Sequence, residues 1–193
     1  MDKNVIEAEF LACVGLCVND WNYGNKDALT LNTDNIALLS FLNTFPNLHT
    51  HHIKKNDISP LLPLENVKMY SKAIELRDSD FNLIIDLDNK TTDFFNKLLR
   101  PNGILIINLL HLEQDLQGAK KQIDDADFKI KMPFKVENSY YLFLSNSIHP
   151  LADICLQKID MLEDLTYYNA KMHEAAFALP NYLKDYLKGV VRN

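Results

Sequence analysis

Polar residues that can bind a ligand or accept a proton stand where three apolar segments of the 193-residue chain end. They are Asn32 and Asp34, then Asp86, Asp88 and Asn89, and finally Asn108 and His111. Carboxylates accept protons or hold cations, and amides and imidazoles hydrogen-bond polar ligands. If the apolar segments are parallel strands, these side chains meet at one edge of a sheet, where α/β proteins bind their ligands. The sequence therefore predicts a small-molecule site at this edge.

The segments around these residues alternate between strand and helix patterns. Short apolar runs predict strands at 28–32, 48–53, 67–70, 81–85 and 104–107, and apolar periodicity predicts helices at 36–45, 91–99 and 112–123. Residues 128–134 and 140–144 predict a hairpin, whereas residues 5–18 fit either a helix or a buried strand. The order predicts an α/β fold, a doubly wound sheet with an antiparallel hairpin at one edge.

Two local signals predict boundaries between these elements. Asp34 is placed to cap the helix at 36–45, which Pro46 ends. Pro101-Asn-Gly103 predicts a turn before the strand at 104–107. Beyond residue 151 the pattern predicts a tail of broken helices.

Glycine is scarce, with five residues in the chain and no two within eight positions of each other. No phosphate-binding glycine loop, neither G-x-G-x-x-G nor G-x-x-x-x-G-K-[ST], is therefore present in the sequence. The formal net charge is −6 and no stripe of Lys or Arg is visible. Nucleic acid is accordingly not an expected partner.

The cysteines and histidines do not form a metal-binding pattern. Three cysteines without a C-x-x-C predict reduced thiols in the cytoplasm. A strand at His49-Thr-His51-His52 would divide the imidazoles between two faces, and with no acidic or cysteine partner nearby we expect no metal. The N-terminus is not a signal peptide, and no run approaches the ~18 apolar residues of a membrane span. We expect a cytoplasmic protein without membrane contact.

The C-terminal segment carries the most specific motif. Tyr167-Tyr-Asn-Ala-Lys-Met-His-Glu-Ala-Ala-Phe-Ala-Leu-Pro180 closely resembles the Y-Y-N-x-x-x-H-x-A-A-F-A-L-P motif of spermidine synthases, the polyamine aminopropyltransferases. Glu9-Phe-Leu-Ala-Cys-Val-Gly-Leu16 resembles that family's E-M-L-A-H-V-P-L helix. Asp80-Phe-Asn-Leu-Ile-Ile-Asp86 resembles the strand before its catalytic loop, and Leu98–Asn108 resembles L-x-x-x-G-x-L-x-x-Q. The resemblance spans residues 9–187 and is to the divergent, glycine-poor epsilonproteobacterial members.

This resemblance implies a Rossmann-like fold of the S-adenosylmethionine-dependent methyltransferase type. It implies transfer of an aminopropyl group from decarboxylated S-adenosylmethionine, a cosubstrate and not a tightly bound cofactor, to putrescine, giving spermidine and methylthioadenosine. Asp86 would bind the acceptor amine and Asp88 would accept its proton. Asn89, Asn108 and His111 would contact the acceptor. The family also assembles into oligomers, so a homodimer is considered.

The cosubstrate side of the sequence departs from the family. The G-G-G-D-G loop after the family's first strand has no counterpart, so we expect that crossover unit to be deleted and 28–32 to be the second strand. Asn32 then stands at the ribose-binding glutamate, and Asp34 at the aspartate of the same motif. The family's N-terminal β-domain is expected to be missing, leaving 1–27 as a degenerate segment of a single domain, 1–193, with a helical tail at 151–193.

The acceptor side departs as well. The family's two catalytic aspartates lie three positions apart, whereas Asp86 and Asp88 lie two apart and Asn89 occupies the second position. Lys72 stands at an adenine-side aspartate, and Glu7 at a tyrosine before the helix glutamate. A second hypothesis is therefore kept: a catalytically inactive family member that binds a polyamine or a protein partner. A methyltransferase on the same sheet is disfavoured by the C-terminal motif.

Overall fold

The fold is known from a computed structural model of the chain. It describes residues 2–18, 26–31, 33, 35–53, 64–71, 76, 80–87, 92–109 and 112–192, with only the backbone of 92–94. The helices are α1 (Lys3–Leu16), α2 (Ile36–Asn43), α3 (Thr92–Leu98), α4 (Leu116–Asp125), α5 (Leu156–Asp160), α6 (Ala170–Ala176) and α7 (Asn181–Tyr186). The strands are β1 (Lys26–Leu31), β2 (Leu48–Ile53), β3 (Val67–Tyr70), β4 (Phe81–Asp86), β5 (Leu99–Asn108), β6 (Ile130–Val136) and β7 (Ser139–Ser145).

The seven strands form one sheet in the order β3-β2-β1-β4-β5-β7-β6. The strands β1 to β5 run parallel, and β7 is antiparallel to both of its neighbours. The predicted doubly wound α/β sheet with an antiparallel hairpin is confirmed. The order reverses between β1 and β4, which is the position where such sheets bind ligands.

Apolar residues cover both faces of this sheet. On one face, α1 and α2 pack with the C-terminal segment around Phe10, Leu38, Phe134 and Phe177. On the other face, side chains of α3, α4 and α7 such as Phe95, Ile123 and Leu183 are buried against the sheet. All of β4 is buried, which explains why its sequence is a continuous apolar run.

Most of the segment 5–18 is helical, because α1 ends at Leu16 and Val18 forms an isolated bridge with Ile154. Asp2 caps α1 by accepting the N–H of Asn4 at 3.0 Å, and the residues from Ala8 to Leu16 are all buried. A helix enclosed on all sides carries no clear apolar stripe, so periodicity did not distinguish it from a strand.

The expected deletion of the first crossover unit is wrong. β1 is the first strand of the sheet, it pairs in parallel with both β2 and β4, and α2 forms the crossover from β1 to β2. Residues 10–16 lie in α1 and do not pair with β1. Residue 32 therefore follows the first strand and not the second, so the alignment of Asn32 with the family's ribose-binding glutamate is also wrong.

Two local predictions are corrected as well. Asn35, not Asp34, is the N-cap of α2, because its Oδ1 atom accepts the N–H of Leu38 at 3.3 Å. Pro101–Gly103 continues β5 and is not a turn before it. Gly103 is required there by close packing, since a Cβ atom would lie 3.0 Å from the carbonyl oxygens of Arg100 and Phe81. Within the described ranges, no helix has the length and apolar character needed to cross a membrane.

Candidate functional site

The candidate site lies at the carboxyl edge of the central strands. Asp86, the last residue of β4, is paired with Leu31 at the end of β1 and with Ile107 in β5. The N–H of Leu87 donates to the carbonyl of Leu31 at 3.4 Å, which holds the ends of β1 and β4 together. The three strands that precede the seven predicted residues in the sequence are therefore neighbours in the sheet.

Asp86 is a predicted site residue whose burial and position in the sheet are both described. It is 1% exposed and stands at the topological switch point, between β1 and β5. Alternation along β4 directs its side chain to the same face as Ile84, the face covered by α3 and α4. A buried carboxyl group at this edge can hold a cationic nitrogen or exchange a proton.

Asn108 is the second predicted residue that the structure describes. It ends β5 one residue beyond Ile107, the partner of Asp86, and is half-buried. Its backbone carbonyl accepts the side-chain N–H of Gln122 from α4 at 3.0 Å. The other predicted site residues lie outside the described ranges: Asn32, Asp34, Asp88, Asn89 and His111. They stay predictions, as does the match of Lys72, which is also outside those ranges.

A polar cluster that the sequence did not predict borders Asn108. The Oε1 atom of Glu113 accepts the hydroxyl of Tyr140 at 2.8 Å and the ammonium of Lys135 at 3.1 Å. Hydrogen bonds from Tyr140 and Lys135 lower the pKa of Glu113. The residues come from the loop after β5 and from both strands of the hairpin, so only the tertiary pairing brings them together.

A second carboxyl group lies on the opposite face near the same edge. Tyr141 of β7 pairs with Asn108 of β5, and its hydroxyl donates to the carboxylate of Glu7 in α1. Burial raises the pKa of Glu7, and Lys3 partly counteracts this effect. Glu7 is the residue that stands where the family has a tyrosine, and its side chain lies near the end of β5.

The histidines of β2 have an acidic neighbour that the sequence did not indicate. Asp27 of β1 contacts His51 at 3.2 Å and His49 at 3.8 Å, while Arg100 lies 3.5 Å from its other oxygen. His52 points to the opposite face, where its Nδ1 atom lies 2.9 Å from the hydroxyl of Thr30. The expectation that no acidic partner lies nearby is wrong. Even so, the described part of the chain contains no cluster of three His, Cys, Asp or Glu residues suited to a metal ion.

Two curated proteins of the same name are similar to the chain over most of its length. No family model matches the sequence. The polyamine aminopropyltransferase of Helicobacter acinonychis (strain Sheeba) is 32% identical over 171 residues, which cover 83% of this chain and 61% of that protein. The enzyme of the same name from Helicobacter pylori (strain G27) is 32% identical over 172 residues with the same coverage. The chain is therefore similar in sequence to polyamine aminopropyltransferases, the family that its motifs resemble, and it spans 61% of the length of these two proteins.

Solved structures give the same result for the fold. Spermidine synthase from Thermotoga maritima superposes with a TM-score of 0.78 at 19% identity, covering 95% of this chain and 74% of that one. A spermidine synthase in complex with the transition-state analogue AdoDATO also gives 0.78. A precorrin-6y C5,15-methyltransferase from Geobacter metallireducens gives 0.51 over 71% of this chain. The Rossmann-like fold of the methyltransferase type is confirmed.

Proposed function

We propose that this protein is a polyamine aminopropyltransferase that uses decarboxylated S-adenosylmethionine and putrescine in polyamine biosynthesis. The observation that carries the proposal is the position of Asp86, a buried carboxyl group at the switch point between β1 and β4. The family of the curated relatives supports the same activity.

The reaction requires a neutral amine to attack the carbon next to a sulfonium. A C–N bond forms, the C–S bond breaks, and its electron pair stays on sulfur, which becomes the neutral thioether of methylthioadenosine. The attacking nitrogen then loses a proton to a carboxylate. We assign Asp86 to binding of the acceptor amine and Asp88 to acceptance of the proton, with Asn89, Asn108 and His111 as further contacts to the acceptor.

The cosubstrate is assigned to the segment that follows β1. This segment contains Asn32 and Asp34 and leads into α2, so it occupies the position of the family's glycine loop. It contains no glycine, and Asn35 begins α2 with a side-chain cap. We assign contacts with the cosubstrate to Asn32 and Asp34, because their amide and carboxylate groups can form hydrogen bonds with its polar groups. We propose that the protein acts in the cytoplasm as a homodimer.

Incubation of the purified protein with both substrates tests this function. We expect spermidine and methylthioadenosine to appear in equal amounts, because each transfer makes one of each. Saturable binding of methylthioadenosine and putrescine without any product would instead favour the inactive, polyamine-binding family member. Failure to bind either molecule would overturn both assignments.

A further inference from the structure

A short turn at residues 149–153 connects β7 to the part of the chain that reaches α1. The N–H of His149 donates to the Oδ2 atom of Asp153 at 2.7 Å. In the other direction, the N–H of Asp153 donates to the carbonyl of His149 at 3.0 Å. The first and last residues of the turn are therefore joined by two hydrogen bonds, one of which uses a carboxylate.

The imidazole of His149 holds the middle of this turn. Its Nδ1 atom accepts the N–H of Ala152 at 3.0 Å and the N–H of Leu151 at 3.2 Å. A backbone N–H can only donate, so Nδ1 carries no proton and the ring is neutral. A protonated imidazole has a hydrogen on both nitrogens and can accept neither bond. The closed turn therefore requires the neutral form of His149.

The residues that follow the turn contact the end of α1. Ile154 forms a bridge with Val18, and the N–H of Cys155 donates at 2.8 Å to the carbonyl of Cys17, the C-cap of α1. The thiols of Cys17 and Cys155, which are not joined in a disulfide, are the titratable groups on this side. Because the turn directly precedes Ile154, its shape determines where this residue meets α1.

A second histidine contacts the turn from α6. The Nε2 atom of His173 lies 2.9 Å from the carbonyl of Pro150, and its Nδ1 atom lies 2.7 Å from the hydroxyl of Tyr168. A carbonyl can only accept, so Nε2 of His173 carries a proton. The charged groups around the two rings are Asp153 within the turn and Glu174 in α6, which acts on His173. A test of the turn must therefore separate the two histidines.

We propose that the 149–153 turn is a conformational switch that opens when His149 is protonated in mild acid. A proton on Nδ1 removes the acceptor for the N–H groups of Leu151 and Ala152 and places a third donor beside them. The turn then loses its closed form, and the contacts of Ile154 and Cys155 with the end of α1 are released with it. An imidazole ordinarily takes up its proton near pH 6.5, so the opening falls within the physiological range of pH. The switch is independent of the function proposed above, because it uses none of the residues assigned to that function.

NMR spectra of the full chain between pH 7.5 and pH 5.0 test this proposal. In the wild type, the amide protons of Leu151 and Ala152 are expected to move upfield together with the titration of the His149 ring, because their hydrogen bonds are lost. The protection of the Cys155 amide against hydrogen exchange should fall by about five- to tenfold, the order of one net backbone hydrogen bond. This titration of the wild type does not depend on any variant.

His149→Asn is the matched variant, because the Oδ1 atom of asparagine can accept the same N–H groups but takes up no proton. It is expected to keep the turn closed at both ends of the pH range. His149→Ala removes the acceptor and should give the open-turn signals at pH 7.5 as well. His173→Gln retains a donor for the carbonyl of Pro150, and its 149–153 turn should respond to pH as in the wild type.

The proposal is overturned if the amides of Leu151 and Ala152 in His149→Asn move with pH as they do in the wild type. It also fails if these amides stay in place while the wild-type His149 ring titrates, or if the ring takes up no proton down to pH 5.0. Closed-turn signals in His149→Ala are equally incompatible with it. If the changes vanish in His173→Gln, then His173 controls the turn and the assignment to His149 is wrong.

Discussion

The carboxylate of Glu9 in α1 accepts the backbone N–H of Tyr168 at 2.6 Å, across 159 residues of sequence. It also accepts the N–H of Tyr167 at 2.7 Å and the hydroxyl of Thr166 at 2.8 Å. The two most recognisable sequence motifs of the chain, one in α1 and one in the C-terminal segment, are therefore in direct contact. This contact holds the C-terminal aromatic residues against Phe10, whose ring lies 5.2 Å from that of Tyr168.

Replacement of Glu9 by Gln is expected to destabilise the fold by about 2–4 kcal/mol, because charge-assisted hydrogen bonds are lost and an amide donor then faces backbone donors. Burial raises the pKa of Glu9, but the hydrogen bonds from Tyr168, Tyr167 and Thr166 outweigh it and leave the pKa lowered. The stabilisation is therefore complete above the ordinary carboxyl pKa of about 4.3 and is lost as pH falls through the lower folded value.

Urea unfolding of Glu9→Gln at pH 7 and at pH 3 measures both effects, with Glu174→Gln as the exposed control. The difference in unfolding free energy between Glu9→Gln and the wild type is expected to be smaller at pH 3 than at pH 7. An unfolding free energy within 0.5 kcal/mol of the wild type at pH 7, the usual range of a neutral surface change, would contradict the role of Glu9.

Gly15 is expected to be intolerant of a side chain. A Cβ atom at this position would lie 2.5 Å from Cδ1 and 2.7 Å from Cδ2 of Leu83 in β4. Gly15→Ala should therefore destabilise by about 1–3 kcal/mol through overpacking, despite the better helix propensity of Ala. A double-mutant cycle with Leu83→Val checks the cause, because the smaller residue should remove part of the cost of Gly15→Ala. If the two changes in unfolding free energy add strictly, contact with Leu83 is not the cause of the destabilisation by Gly15→Ala.

His173 should make the stability of the protein sensitive to mild acid. It is buried, with Nδ1 2.7 Å from the Tyr168 hydroxyl and Nε2 2.9 Å from the Pro150 carbonyl. Burial lowers the pKa of His173, against the opposing effect of the Pro150 carbonyl. Because the unfolded chain binds the proton more readily, stability is complete above the ordinary histidine pKa of about 6.5 and falls as pH decreases through it.

The unfolding free energy of the wild type, measured by urea unfolding, is expected to fall by about 1 kcal/mol between pH 7.5 and pH 5.5. His173→Gln is neutral across this range and should show a flatter profile, although it is less stable at pH 7.5. If the unfolding free energy of His173→Gln falls as steeply with decreasing pH as that of the wild type, other groups cause the acid sensitivity.

The fold was predictable because its strands are buried on both faces. Continuous apolar runs such as Ile104–Ile107 mark such strands in the sequence, and the hairpin around Glu137 and Asn138 carries a clear polar turn. The error at β1 has a different origin. The partner of a strand is not encoded in its local sequence, so the absence of a glycine loop near 28–32 predicts a deletion, whereas the crossover is present with a different loop sequence.

The candidate site was predictable in part for the same reason. Asp86 and Asn108 end strands whose patterns are clear, so their meeting at one edge follows from parallel pairing. Glu113, Lys135 and Tyr140 belong to three separate segments, and only the antiparallel register of β7 brings them together. The role of Glu9 could likewise not be predicted, because its hydrogen bonds to Tyr167 and Tyr168 form only when the C-terminal segment packs against α1.

The role of Asp86 is tested by the rate of methylthioadenosine release from decarboxylated S-adenosylmethionine and putrescine, compared between Asp86→Asn and Asp80→Asn. Asp80 precedes the same strand at the opposite edge and is exposed, so it is a matched control for the same chemical change. We expect release by the wild type and by Asp80→Asn, with a loss of at least a hundredfold in Asp86→Asn, on the order of one lost acid–base or binding carboxylate. Equal rates in the two variants, or no release by the wild type, would contradict this expectation.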